Sequence, residues 1–269
     1  MPLGDAGRWP GSSGRGPGAP AVSEGQAVPS RRPAFYAARP GGWRDWWTLL
    51  HPPYTAWFLS YVVIGACLAP RVRVDRLVAT LLAFFLAVGL SAHALDELHG
   101  RPLGTAIPSR VLGMVGVGGL AGAVGLGAVG LARTGWVLVP FLVAGPLLVV
   151  AYNAELWGGL LHNDLGFALA WGGFPVLTAY AAQAGGLSPV AVLAAGAAVA
   201  LSAAQRALSS PARFLRRRVD AVDGRLTLIS GADRPIDREA LLAPLERALA
   251  ALSWTMILLA GALAGSRLG

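Results

Sequence analysis

Residues 77–95 read LVATLLAFFLAVGLSAHAL. Nineteen residues carry one ionisable side chain, His93, placed near the end of the stretch. At 1.5 Å per residue a helix of this length reaches about 28 Å, close to the roughly 30 Å hydrocarbon layer of a bilayer. Outward from this block, comparable apolar runs occupy 54–69, 111–131, 136–152, 165–182, 189–204 and 248–264. The pattern predicts an all-α, polytopic transmembrane helical bundle of about seven spans.

Composition agrees. Of 269 residues, 55% are hydrophobic and 13% charged, about half the charge of an ordinary soluble domain, which excludes a conventional soluble enzyme. All 22 basic residues are arginine. Without lysine the chain has no Schiff-base, pyridoxal or P-loop chemistry. Cys67 is the single cysteine, which excludes an intramolecular disulfide and a cysteine-ligated metal cluster. The formal charge of +8 raises nucleic acid as a partner. Its arginines concentrate in the tail and loops, however, so anionic membrane lipids and phosphorylated substrates are expected and nucleic acid is not. The Ala/Gly/Arg bias points to a high-GC bacterial source, and hence to the inner (plasma) membrane.

Residues 1–45 are rich in Gly, Pro, Ser and Arg without helical or strand period, and are expected to form a disordered tail; residues 46–269 form the membrane domain. The first apolar run lies too far along to be the core of a signal peptide, so the tail is expected to stay attached. Trp43, Trp46 and Trp47 stand just before the first span, as an interfacial anchor or a short juxtamembrane helix. An odd number of spans puts the N-terminus and the loops after the second, fourth and sixth spans on one side. That side carries 17 of the 22 arginines, and the positive-inside rule makes it cytoplasmic.

All four histidines, His51, His93, His99 and His162, fall on this side, with Asp96, Glu97, Glu155, Asp164, Asp220 and Asp223. Ionised groups in hydrocarbon cost about 2.5–3.5 kcal/mol on insertion scales and mark cavities or pathways. A site open to the cytoplasm is one reading; polar residues simply collected in loops is the other. If the second helix continues, His93, Asp96 and Glu97 share a face at i, i+3 and i+4. Two carboxylates beside an imidazole suit a hard cation such as Mg2+, with His93 as base or outer partner, and Arg101 offers a fork for phosphate oxygens. A solvated helix end is the plainer alternative. Glu155 is a candidate ligand, base or orienting group, or else a structural carboxylate at a helix end, with Asn153 and His162 beside it as substrate-binding candidates. Arg213 and Arg217 open the longest polar connection, which ends in Asp220 and Asp223; this run suits diphosphate or anionic lipid, or is an ordinary cationic flank.

The sequence His51-Pro52-Pro53-Tyr54-Thr55 enters the first span, the acidic stretch after the second closes with Arg101-Pro102-Leu103, and an Asp/Arg loop follows the sixth. Together these resemble the UbiA-type intramembrane prenyltransferases over residues 46–264. The resemblance implies a helical bundle with an apolar tunnel for an isoprenoid chain, a prenyl diphosphate donor, a lipophilic or aromatic acceptor and Mg2+ held by Asp96, Glu97, Asp220 and Asp223. The first motif departs from the family pattern by placing His93 where Asn-Asp usually leads. The second is matched loosely by Asp220 and Asp223 with Gly224 and Thr227, and the chain has seven spans where nine are usual. Two other classes fit the residues: a His/carboxylate membrane metalloenzyme, and a non-enzymatic lipid-binding, transport or assembly protein on the same frame.

Overall fold

The computed structural model describes residues 33–269. Six helices are long and apolar enough to cross a membrane: Val74–Leu98, Ser109–Thr134, Trp136–Asn153, Asp164–Ala184, Pro189–Arg218 and Arg238–Leu268. They correspond to the second to seventh expected spans. The first is a shorter helix, Pro52–Cys67. Its middle is enclosed by protein, with Trp57, Tyr61 and Val62 fully buried, so it forms the centre of the bundle instead of a lipid-facing wall. Tyr61 ties it to the sixth span by hydrogen bonds with Ser202 Oγ (3.0 Å) and Ala198 O (3.2 Å).

Small residues let the helices approach closely where lipid gives no hydrophobic drive. A Cβ on Gly65 would lie 2.9 Å from Val176 Cα in the fifth span, and one on Gly172 would lie 2.6 Å from Ala198 O in the sixth. Two spans widen into π-helix, at Phe85–Ala92 and Leu169–Gly173. Such segments recur at functional sites because they rotate the side chains that follow.

At one end of the bundle polar side chains close the chain reversals. Gln183 Oε1 accepts from the Arg73 N–H (2.8 Å) while Gln183 Nε2 donates to Arg73 O (3.1 Å). Arg76 donates to the carbonyls of Ala182, Gln183 and Arg133, and Arg267 to those of Ala69 and Pro70. The opposite end holds the four histidines, Asp96, Glu97 and Asp164, and a feature not expected from the sequence, an antiparallel two-stranded hairpin pairing Gly224–Thr227 with Asp233–Ile236.

The expected tail requires correction at its inner end. Ala34, Ala37 and Asp45 are buried. Asp45 accepts from the Gly41 N–H (3.0 Å) and the Ala106 N–H (3.3 Å), and Thr48 Oγ1 accepts from the Ala38 N–H (3.1 Å). Low apolar content there is offset by hydrogen bonds that fasten the segment to the loop after the second span. The remainder of the tail, residues 1–32, lies outside the described residues.

Candidate functional site

The polar end of the bundle contains a cavity of about 360 Å³. Its wall begins at His51, a residue in the left-handed region (φ 48°) directly before Pro52 and Pro53. Pro at the first helical positions removes N–H groups that would have no partner. The bend before them lays the His51 ring on His93, with ring centroids 4.3 Å apart. His51 Nδ1 lies 2.7 Å from Leu49 O, His93 Nδ1 3.1 Å from Gly89 O and His162 Nδ1 3.0 Å from Tyr152 O. A carbonyl oxygen only accepts, so each Nδ1 donates its N–H, which in a neutral ring leaves the Nε2 lone pair free. Burial beside His93 holds His51 well below the ordinary imidazole value, so its ring is neutral.

The second wall comes from the sixth span, which continues to Arg218 instead of ending near residue 204. This continuation brings Arg206, Arg213, Arg216 and Arg217 into the cavity lining. Arg206 pairs with Asp164 at 2.8 Å and lies over the Phe167 ring at 5.1 Å. Arg216 donates to both carboxylate oxygens of Glu246 in the seventh span. Among the described residues Arg213 donates to the hydroxyls of Ser209 and Ser210, both at 3.3 Å. Arg217 donates to Pro33 O at 3.3 Å. Tyr36 and Tyr54 add aromatic faces; burial and the neighbouring Tyr54 push the Tyr36 phenol far above its usual value, so it stays protonated.

Of the expected site residues, His93, Asp96, Asn153, His162, Arg213 and Arg217 line this one cavity. Five do not. Glu97 is fully buried on the other side of the helix, where its oxygens accept from the Leu103 N–H (2.9 Å), the Thr105 N–H (2.8 Å) and the Thr105 hydroxyl (2.9 Å). Successive helical residues diverge by about 100°, so Asp96 turns to the cavity and Glu97 to the returning loop. Arg101 (φ 53°) likewise serves that loop, donating to Thr105 O, Ile107 O and Ser109 Oγ. Glu155 is half-exposed at a break in the chain (φ 47°), 4.0 Å from His162 Nε2. Asp220 and Asp223 lie on the exposed stretch leading into the hairpin.

Mg2+ takes an octahedron of oxygens, usually with one or two carboxylates free to bind it. Here Glu97 is consumed by the backbone and Glu246 by Arg216, which among the described residues leaves Asp96 as the free carboxylate of the cavity wall. Among the described residues no group of three or more His, Cys, Asp or Glu side chains is placed to share a metal ion. The residues present therefore do not fit the expected Mg2+ cluster, nor the His/carboxylate metal centre. Sequence reading missed Tyr36, Tyr54, Arg206, Arg216 and Glu246. The signal for Arg206 was present: Gln205-Arg206 follows an apolar helix without a break, and an intramembrane arginine marks a site.

A second, apolar cavity of about 150 Å³ runs between the second, third, fourth and fifth spans from Asp75 and Arg133 inward. Val88 and Trp171 line both cavities, and both belong to the π-helical segments. From Asp75 to Val88 the second span rises about 20 Å. A polar chamber thus adjoins an elongated apolar cleft at one pair of side chains.

No protein-family model matches the sequence, and no curated protein matches it. Among solved structures, that of a UbiA homolog from Archaeoglobus fulgidus bound to Cd2+ superposes over 82% of this chain and 78% of its own, with a TM-score of 0.51 and 16% sequence identity. At this identity the likeness shows the fold: the chain is a polytopic helical bundle of the UbiA type.

Proposed function

We propose that the protein is a UbiA-like prenyltransferase of the bacterial inner membrane, moving an isoprenyl group from a prenyl diphosphate to an aromatic or other lipophilic acceptor. The observation that carries this reading is the junction of the two cavities at Val88 and Trp171. An ionic head and a long apolar tail on one substrate require such a pair of compartments, and the UbiA-type fold agrees with it. The arginine asymmetry supports a cytoplasmic side for the polar chamber and the N-terminus.

In this reading the allylic C–O bond breaks and its electron pair leaves with the diphosphate, whose growing charge Arg213 and Arg217 neutralise. The faces of Tyr54, Tyr152, Phe58 and Trp171 stabilise the allylic cation. The acceptor's electron pair forms the new bond, and its proton passes to the Nε2 lone pair of His93, which the Nδ1 bond to Gly89 keeps available. Glu155, Arg101, Asp220 and Asp223 have no part in these steps.

The test is release of labelled diphosphate from allylic donors of several chain lengths, by protein in lipid discs, across a panel of phenolic acceptors. Acceptor-dependent release that falls about a hundredfold in His93→Gln is expected. Donor binding without release for every donor and acceptor would overturn the enzymatic reading in favour of a lipid-binding or transport protein.

A further inference from the structure

The chamber's lining carries four arginines against two carboxylates, and one of those carboxylates, Glu246, is already paired with Arg216. Arg206 is paired with Asp164. Among the described residues Arg213 and Arg217 have no carboxylate partner: the bonds they make there go to two serine hydroxyls and one carbonyl. Both lie on one side of the sixth-span helix at i and i+4, and both line the chamber together with Asp96. Arg213 is half-buried while Arg217 is exposed at the chamber's rim, and the uncompensated charge of the half-buried Arg213 is costly unless a ligand supplies the counter-charge. Guanidinium groups match phosphate oxygens with paired, charge-assisted bonds.

We infer that the chamber holds a diphosphate group by direct contact with Arg213 and Arg217, without a divalent cation. The inference rests on the prenyl-diphosphate reading for what the diphosphate is attached to. It departs from the metal clamp that the family resemblance implies, because Glu97 and Glu246 are already paired and Asp220 and Asp223 lie outside the chamber lining. The arginines at the end of the sixth span line the chamber while the Asp220/Asp223 motif expected to follow them does not, and Asp96 becomes a repulsive neighbour of the anion instead of its metal anchor.

The test is isothermal titration of the purified full chain with inorganic pyrophosphate, with EDTA and separately with Mg2+. Binding in EDTA is expected, unchanged or weaker when Mg2+ is added, since the cation competes with the arginines for the same oxygens. Arg213→Gln and Arg217→Gln should each weaken binding about tenfold or more, and Asp96→Asn should leave it unchanged or tighten it. Binding that requires Mg2+ and is lost in Asp96→Asn would overturn the inference and leave the prenyl-transfer reading standing. The wild-type arms decide this even if an arginine variant fails to fold. Binding in EDTA by a protein that releases diphosphate from no allylic donor would sustain the anion site while the prenyl-transfer reading fails. In discs of zwitterionic lipid, displacement of pyrophosphate by added phosphatidylglycerol would assign the arginines to a lipid headgroup and overturn the diphosphate assignment. Unchanged affinity is the expected result.

Discussion

Asp96 and Glu97 are neighbours in sequence and belong to different regions of the molecule. Glu97, Arg101 and the loop they hold form a closed network, in which every charged oxygen or nitrogen named above meets a backbone group or a hydroxyl of residues 103–109. Across the helix, Asp96, Arg213 and Arg217 face a chamber with few partners of their own. The difference teaches that charge at a membrane boundary has two uses. Charge spent on backbone groups fixes a chain reversal; charge left facing a cavity is available to a ligand.

The largest expected effect tests the first use. Glu97→Ala would strand three buried donors and should lower stability by about 3 kcal/mol or more, read as loss of folded protein in detergent thermal unfolding. Asp96→Asn, one residue away, should leave the unfolding temperature in place. Equal destabilisation by the two variants would erase the distinction. A smaller effect is expected for Arg101→Met, which removes three donations to the 105–109 loop and should cost about 1–3 kcal/mol with pyrophosphate affinity unaltered. Loss of affinity in a folded Arg101→Met protein would place Arg101 with the ligand after all. The smallest effect should come from Trp171→Ala, which widens the junction of the cavities. Preference between long and short allylic donors, measured as a ratio of kcat/KM, should shift by about tenfold toward the longer.

The fold was legible because hydrocarbon thickness imposes a length on each apolar block, and 77–95 or 111–131 carry that length in plain view. The site was legible in part. His93 and Asp96 lie on the cavity side of a helix, as their spacing implied, and His162 and Asn153 join them from the fourth connection. Glu97 could not be separated from Asp96 by spacing, since its direction depends on where the 101–109 loop returns. Arg206 was legible as an arginine following an apolar helix without a break, but ending the sixth span where its hydropathy falls puts it in a loop, whereas the helix runs on to Arg218. Tyr36 was hidden by composition, because hydrogen bonds through Asp45 and Thr48 hold a segment that has too little apolar surface to announce itself.

The central claim is that the two cavities form one binding site with an arginine-lined ionic end and an apolar end. Its most direct measurement is an experimental structure with a non-cleavable prenyl thiodiphosphate bound. Diphosphate density between Arg213 and Arg217, with the chain passing Trp171 and Val88 into the cleft beside Phe174, is the predicted result. Density for the diphosphate at Asp220 and Asp223, or for the chain outside the cleft on the lipid-facing surface, would contradict it.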